Sequence, residues 1–211
     1  YDLALGLEWV HDHIARFGGD PNRITVAGES SGAANALHLA LSPLNEGRIA
    51  RIIHQSGGWP ADGVPSPEEA RSLGVTLQRA VLGGQGTLDA LRGASAEQIM
   101  AAASDVYADF QFDAILDPVS LPRTLKQRLD DGALPPLDII SGSNLNETLM
   151  YIGPDDAPSA YLEGRVSAAA AARVLNSFAA GRERFEVLDR IGTGLDFLCP
   201  TLKIATGFAR A

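Results

Sequence analysis

Three short runs dominated by apolar residues stand out along the chain, at 24–27, 49–54 and 137–141. Runs of this length that are rich in β-branched residues and bounded by glycine or serine predict buried strands. Each run is followed within a few residues by a Ser- and Gly-containing segment. We therefore expect three strands whose carboxyl ends lead into small polar turns.

Between and around these strands, the apolar positions follow the period of an α-helix. The first helical pattern starts at Asp2, the expected cap, and stops at Gly18-Gly19. This helix is expected to pack on the sheet through five apolar residues: Leu3, Leu7, Val10, Ile14 and Phe17. A second helix after Gly32 has small residues at its start, which allow close approach to a strand, and its predicted packing face is Ala33, Ala34, Leu37 and Leu41.

The middle of the chain, about 57–110, is predicted to be a helical excursion between two strands. It opens with a Gly- and Pro-rich loop over 57–66 and continues as a helix over 67–82. A further helix begins at Ser95, where Ser95 and Gln98 make a capping box. Towards the end of the chain, 165–181 is an alanine-rich helical pattern. The segment 185–211 is mostly helical, with breaks expected at 192–194 and at Pro200.

The first strand is followed by Gly28-Glu29-Ser30-Ser31-Gly32, a Gly-x-Ser-x-Gly pattern. Alone, this pattern is weak in a chain with 22 glycines, where a plain surface turn is the alternative. A strand before it and a small-residue helix after it are typical of a nucleophile elbow. In such a turn the two glycines leave room, Ser30 is strained, and the amide of Ser31 faces the charge that develops on an attacked carbonyl.

On these residues the chain resembles the type-B carboxylesterases, also called the carboxylesterase/cholinesterase family. The segment 17–32 matches that family's signature around its nucleophile, and 51–57 resembles its next strand with a Gln-Ser-Gly end. The segment 116–122 is similar to the approach to the following strand, with Pro118 where the family usually has glycine. The segment 142–147 matches the Gly-x-Asn-x-x-Glu pattern that carries the triad acid. The resemblance spans nearly the whole chain.

The resemblance implies the α/β-hydrolase fold, a mostly parallel sheet flanked by helices, with about three parallel strands in this chain and 1–211 as one truncated catalytic domain. It implies an ester hydrolase that works through an acyl-enzyme, with Ser30 as nucleophile and the Ser31 amide in the oxyanion hole. Glu147 is then the acid that orients a histidine. Glu29 matches a position near that histidine and the substrate, and Ser56 matches a hydroxyl that hydrogen-bonds the acid.

The family's general-base histidine follows the acid, whereas the four histidines here precede it: His11, His13, His38 and His54. His11 and His13 are two residues apart on a helix, so they cannot share a metal ion. His54 alone is at a strand end near the elbow, and the family does not use that position for proton transfer. The family's Gly-Gly oxyanion loop would precede Tyr1. We therefore expect residues 1–211 to be an internal fragment, nearly inactive by itself.

Composition limits the partners and the compartment. A chain of 211 residues with 45% hydrophobic residues can bury one sizeable core, and a net charge of −9 argues against a nucleic-acid groove. No apolar run approaches the roughly 20 residues of a membrane span. Cys199, the single cysteine, excludes an internal disulfide, which favours a cytoplasmic protein or a secreted bacterial one; it is expected to be buried. No metal or cofactor is expected, and oligomeric state stays open.

Three functions fit these motifs. The first is carboxylic ester hydrolysis on small-molecule esters. The second is a non-catalytic adhesion or binding module related to the cholinesterases, although such proteins usually lose the serine and Ser30 and Glu147 are both present. The third is another α/β-hydrolase reaction, such as lactone or thioester cleavage, which uses the same triad. Labelling of Ser30 by a fluorophosphonate separates the first and third functions from the second.

Overall fold

The computed structural model describes residues 1–58, 64–107 and 114–211. The chain forms two compact units. One unit comprises Tyr1–Gly63 and Arg123–Ala211, and the other comprises Val64–Pro122. The first unit contains the sheet and all of the candidate site residues.

The sheet of the first unit has three parallel strands in the order β1-β2-β3: Thr25–Glu29, Arg51–Gln55 and Asp138–Gly142. Gly28, His54 and Ser141 are aligned across it. Since all three strands run in the same direction, their carboxyl ends meet at one edge. The three predicted strands are confirmed, with bounds shifted by one or two residues, and so is the α/β fold class with helices beside a parallel sheet.

Ten α-helices lie in the described residues: α1 (Asp2–His13), α2 (Ser31–Leu41), α3 (Pro67–Leu82), α4 (Leu88–Arg92), α5 (Ala96–Val106), α6 (Leu125–Asp131), α7 (Pro158–Leu162), α8 (Ala168–Phe178), α9 (Arg184–Gly192) and α10 (Cys199–Phe208). None of the helices in that part of the chain combines the length and the apolar character needed to cross a membrane. The same residues contain no cluster of three His, Cys, Asp or Glu side chains suited to a metal ion.

Helix α2 packs on the sheet through the face that the sequence predicts. Ala33, Ala34, Leu37 and Leu41 are all buried, and Ile52 of β2 is buried with them. The alanines at the start of the helix let its first turn come close to β1 and β2. This close packing places the amino end of α2 against the carboxyl edge of the sheet.

A second core in the same unit lies around Leu162, Val187 and Ile191, which join α7 and α9, with α8 packed against them. The break predicted at 192–194 is wrong. The backbone stays helical through a π-helical segment, Thr193–Leu198, and then enters α10. The break predicted at Pro200 is also wrong, since Pro200 lies in the first turn of α10 and the residues before it are already helical. The backbone is thus helical without interruption from Arg184 to Phe208, and we call this stretch the helical rod.

Three local predictions about α1 and α10 fail. Tyr1, not Asp2, is the N-cap of α1, and no side chain caps it. The helical stretch stops at Gly18 as predicted, after α1 passes into a 3₁₀ turn beyond His13. The predicted packing of α1 on the sheet is wrong, because its main contacts are with the 3₁₀ segments Pro21–Arg23 and Pro43–Asn45. Cys199 is exposed, because it precedes the buried face of α10 instead of belonging to it.

The second unit has the helices predicted for it. Helix α3 covers the predicted bounds, and both α3 and α5 begin at capping boxes, those of Ser66 with Glu69 and Ser95 with Gln98. The 57–66 loop and the end of the excursion fall partly on 59–63 and 108–113, which lie outside the described residues. Near the end of the unit, the carboxylate of Asp117 accepts hydrogen bonds from Ser120 and Val119, which lower its pKa to about 2.

Candidate active site

Ser30 lies at the turn between β1 and α2, in a conformation that few non-glycine residues adopt. Its φ is 55° and its ψ is −125°. The Ser30 amide donates to the carbonyl of Gln55 at 2.9 Å, and the Ser30 carbonyl accepts from the amides of Ala33 and Ala34 at 3.0 and 3.2 Å. Strained backbone persists only where its surroundings overdetermine it. Hydrogen bonds on both sides of the residue do this here, as an elbow requires.

Glycine is required on two sides of this turn. A Cβ on Gly28 would lie 2.1 Å from the carbonyl oxygen of Gly32, and a Cβ on Gly57 would lie 2.8 Å from the carbonyl oxygen of Ser30. A Cβ on Gly32 would meet nothing within 4 Å in the described residues. The expected need for room therefore holds for Gly28 but not for Gly32. The second close approach comes instead from Gly57, which the motif does not include.

The two neighbours of Ser30 in sequence, Glu29 and Ser31, are both predicted site residues. Glu29 is the last residue of β1 and is exposed. Ser31 is the first residue of α2, and the first amides of a helix have no acceptor within the helix. Since the helix dipole adds a partial positive charge there, the Ser31 N–H is suited to a developing oxyanion.

Ser56 occupies the turn after β2, between the two other strand ends. It also has a positive φ, 53°, and its amide donates to the carbonyl of Gly142 at 2.8 Å. Its side chain is buried, and its hydroxyl donates to Oε1 of Glu147 at 2.6 Å. The contact between Ser56 and the acid that the resemblance implies is thus present in the structure.

Glu147 lies in the loop after β3, half-buried, and receives further hydrogen bonds from Asn144. The amide of Asn144 donates to Oε1 at 2.6 Å, and its side-chain Nδ2 donates to Oε2 at 3.3 Å. A carboxylate can accept about four hydrogen bonds. Oε2 therefore keeps capacity for one more donor, such as an imidazole N–H.

The two strand ends that carry Ser30 and Glu147 are not adjacent. They follow β1 and β3, and β2 with Ser56 lies between them. Neighbouring strands are about 4.8 Å apart, so these two strand ends are separated by about 10 Å. An imidazole ring with a hydrogen bond at each end spans about 8 Å. The gap of one strand between Ser30 and Glu147 is therefore wide enough for a histidine side chain.

His54 does not have the geometry of a substitute base. It is fully buried in β2, where its Nε2 donates to the carbonyl of Gly57 at 2.9 Å and its Nδ1 accepts from the hydroxyl of Ser141 at 2.8 Å. Burial lowers its pKa, an effect only partly opposed by the hydrogen bond to Gly57. With both ring nitrogens engaged inside the protein, His54 secures the turn after β2 instead of accepting a proton from Ser30.

One carboxylate at the site was missed by the sequence motifs. Asp189 of α9 is fully buried and accepts hydrogen bonds from Asn146 and Thr148, the neighbours of Glu147. The amide of Glu147 donates to the hydroxyl of Thr193 at 2.9 Å. The only sequence signal is the spacing of Asp189 and Thr193, four residues apart and hence on one helix face.

The model of the carboxylesterase family matches residues 1–181 of this chain. The chain belongs to the carboxylesterase family. It is 31% identical over 180 residues to the para-nitrobenzyl esterase of Bacillus subtilis, which covers 78% of this chain and 36% of that protein. It is 32% identical over 150 residues to human cocaine esterase, which covers 69% of this chain and 26% of the relative.

Solved carboxylesterases have the same fold. A thermophilic para-nitrobenzyl esterase superposes with a TM-score of 0.78 at 27% identity, over 99% of this chain and 44% of that one. The carboxylesterase EST55 of Geobacillus stearothermophilus at pH 6.2 superposes with a TM-score of 0.80 at 26% identity, over 99% of this chain and 46% of that one. The α/β-hydrolase fold expected from the resemblance is thus confirmed. This chain spans less than half the length of each of these relatives.

Proposed function

We propose that this carboxylesterase-family chain carries the nucleophile and the acid of a serine carboxylic ester hydrolase, within one catalytic domain over 1–211. The observation that carries the proposal is the arrangement at the carboxyl edge of the sheet. Ser30 is held in a strained turn at a helix amino end. Glu147 follows β3, on the far side of β2, and is held there by a hydrogen bond from Ser56. Relatives named as esterases support the same reaction class.

In the proposed reaction the hydroxyl oxygen of Ser30 attacks the carbonyl carbon of an ester. A histidine base takes the hydroxyl proton, and the carbonyl oxygen of the tetrahedral intermediate carries the negative charge. The N–H of Ser31 donates to that oxygen. Collapse of the intermediate breaks the ester C–O bond, the histidine returns the proton to the departing alcohol, and water then hydrolyses the acyl-serine.

Glu147 is proposed to orient this histidine and to stabilise its protonated form. Ser56 and Asn144 already donate to the Glu147 carboxylate. The ring N–H of the histidine is therefore proposed to bind at the acceptor position that they leave open on Oε2. His54 cannot be this histidine, since both of its ring nitrogens are engaged elsewhere. The other three histidines, His11, His13 and His38, also precede the acid, so we propose that the base is a histidine outside 1–211. Glu29 is proposed to lie beside that base and the substrate.

Other substrates of the same triad, lactones and thioesters, are compatible with this geometry and differ only in the leaving group. A non-catalytic adhesion module would have no use for a strained serine, nor for a carboxylate held by a buried hydroxyl. Retention of both features favours catalysis.

The test is covalent labelling with a fluorophosphonate, applied to the protein expressed from its complete reading frame. Mass spectrometry should place the phosphonyl group on Ser30 at one label per chain, and the same protein should hydrolyse p-nitrophenyl acetate. Ser30→Ala should abolish both, whereas Ser177→Ala, an exposed serine of α8, should change neither. No labelling of the wild type, or undiminished turnover by Ser30→Ala, would contradict the proposal.

A further inference from the structure

The loop 144–148, which we call the acid loop because it carries Glu147, contacts the buried carboxylate of Asp189. Asp189 of α9 is 0% exposed, and no part of the proposed mechanism uses it. Its Oδ2 accepts from the side-chain Nδ2 of Asn146 at 2.5 Å. Its Oδ1 accepts from the amide of Thr148 at 2.8 Å and from the hydroxyl of Thr148 at 3.0 Å. One carboxylate therefore binds the residue before Glu147 and the residue after it.

The backbone of Glu147 itself is tied to the same group. Its amide donates to Oγ1 of Thr193 at 2.9 Å, and the Thr193 hydroxyl donates in turn to Oδ1 of Asp189 at 3.4 Å. The helix can come this close because residue 192 is glycine. A Cβ on Gly192 would lie 2.8 Å from Oγ1 and 2.9 Å from Cγ2 of Thr148. Asp189, Gly192 and Thr193 share one face of the helical rod, and this face contacts the loop directly.

The chemistry of the contacts suits a fixed anion. Among the described residues, every group that hydrogen-bonds the Asp189 carboxylate is a donor: an amide side chain, a backbone N–H and two hydroxyls. Burial raises the pKa of Asp189, but the hydrogen bonds from Asn146, Thr148 and Thr193 outweigh it and lower the pKa overall. An ionised carboxylate without a cation partner is expensive to bury unless its lone pairs are satisfied. These donors satisfy them, and each donor belongs either to the acid loop or to α9's own helical rod.

We propose that Asp189 is a positioning residue for the acid of the triad: it aligns the Asn146–Thr148 backbone so that the Glu147 carboxylate faces the base histidine. This inference rests on the proposed function. Ser56 and Asn144 aim the side chain of Glu147, whereas Asp189 sets the backbone from which that side chain projects. Loss of the charge would leave the loop folded but displaced.

The central experiment replaces Asp189 by Asn, which keeps the size of the side chain and removes its charge. In the protein from the complete reading frame, Asp189→Asn should lower kcat for p-nitrophenyl acetate by about 100-fold, the effect of an ångström-scale misplacement. KM should change by less than about twofold, because the substrate's own contacts are intact. The acid limb of the kcat/KM profile should move to lower pH, since a displaced Glu147 carboxylate no longer favours the protonated histidine.

Two further variants separate positioning from general stability. The swap Asn146→Asp with Asp189→Asn rebuilds the 146–189 hydrogen bond with its polarity reversed, and it should recover about tenfold of the lost kcat. Asp196→Asn is the matched control. Asp196 lies in the adjacent π-helical segment and binds Tyr161 and Arg165, which are not in the acid loop. This control should weaken folding while leaving kcat and the acid limb at wild-type values.

If Asp189→Asn does not fold, Thr193→Val supplies the test. It preserves the shape of the side chain and removes the hydroxyl between the Glu147 amide and Asp189. We expect about a tenfold loss of kcat with the same shift of the acid limb. A kcat within about twofold of wild type in either folded variant would overturn the inference.

A readout that does not depend on turnover distinguishes this inference from the proposed function. Hydrogen exchange of the Glu147 and Thr148 amides should be faster in Asp189→Asn than in Asp196→Asn, whether or not the protein hydrolyses esters. Failure of Ser30 labelling in the wild type would overturn the function. Unchanged exchange at these two amides would overturn the anchoring by Asp189.

Discussion

The turn at Ser30 and the loop at Glu147 are held in place by different physical means. At Ser30, backbone packs against backbone: the elbow is fixed by main-chain hydrogen bonds and by glycines that admit neighbouring carbonyls. At Glu147, side chains make most of the contacts, and the partners Asp189 and Thr193 are 41 to 46 residues away in sequence. The proposed active site thus combines a half that is fixed by close backbone packing with a half that is fixed mainly by side-chain hydrogen bonds.

The two halves should therefore respond differently to substitution. Steric fixation fails abruptly, because a Cβ placed 2.1 Å from a backbone oxygen forces the chain to move. Fixation by several hydrogen bonds fails in steps, since each lost bond leaves the others in place.

The largest effect is expected for Gly28→Ala at the elbow. The new methyl group would meet the Gly32 carbonyl at 2.1 Å and the Ala33 amide nitrogen at 2.6 Å, neither of which can move independently of α2. We expect a loss on the order of 4 kcal/mol in the free energy of unfolding, measured by urea denaturation. Gly32→Ala, which meets nothing within 4 Å, should leave it unchanged or raise it by up to about 1 kcal/mol. Equal effects of the two alanines would contradict the steric account.

Removal of the Ser56 hydroxyl should act on catalysis more than on folding. Ser56→Ala deletes the 2.6 Å hydrogen bond to Glu147, and a bond to a charged group contributes about 1.5–3 kcal/mol. In the protein from the complete reading frame, we expect kcat for p-nitrophenyl acetate to fall about 10- to 100-fold with little change in KM.

Ser56→Gly serves as the control, since residue 56 has a φ of 53° that glycine adopts without strain. It should be about 1 kcal/mol more stable than Ser56→Ala and equally slow. A wild-type kcat in the glycine variant would show that backbone conformation, not the hydroxyl, positions Glu147.

At the contact between α9 and the acid loop, Gly192→Ala introduces a steric conflict into the half that depends on hydrogen bonds. The added methyl would lie 2.8 to 3.2 Å from atoms of the Thr148 side chain. Because a side chain yields more readily than backbone, we expect a loss of about 1–3 kcal/mol in stability, less than for Gly28→Ala. Thr148→Ser removes Cγ2 and keeps the hydroxyl, so in the double variant part of the loss should be recovered. Purely additive losses in this double-mutant cycle would exclude a direct contact.

The smallest effect concerns pH and the buried imidazole between the two halves. The pKa of His54 is lowered in the folded protein by burial, so the unfolded chain takes up the proton first as the pH falls. The stability linked to neutral His54 is thus complete above the unfolded pKa of about 6.5 and declines below it. The decline should be at most about 1.4 kcal/mol per pH unit, from urea denaturation between pH 8 and pH 5.

His54→Gln should lose this pH-dependent component and show a flatter curve. Its deficit at pH 8 measures the change in packing and in the hydrogen bonds to Gly57 and Ser141. Parallel curves for wild type and variant would mean that His54 titrates alike in the folded and unfolded states.

Local patterns predicted the parts of the molecule in which nearest neighbours decide the structure. The three strands, the buried face of α2 and the strained position of Ser30 depend on side-chain periodicity and on one turn. The predictions failed where burial or close packing depends on which residues of another element lie opposite. Cys199 is exposed because the buried face of α10 begins one residue later, and Gly57 rather than Gly32 provides the close approach to Ala33.

The family, the fold class and the candidate nucleophile and acid could be predicted from the sequence, because a strand, a glycine turn and a helix start are encoded within a few consecutive residues. Three features become visible only in the folded chain: β2 separates the two halves of the site, both ring nitrogens of His54 are hydrogen-bonded inside the protein, and Asp189 contacts the acid loop. The contacts of Asp189 and the pairing of β2 with β3 join segments more than forty residues apart, and no periodicity along the chain records which distant donor a buried carboxylate will find.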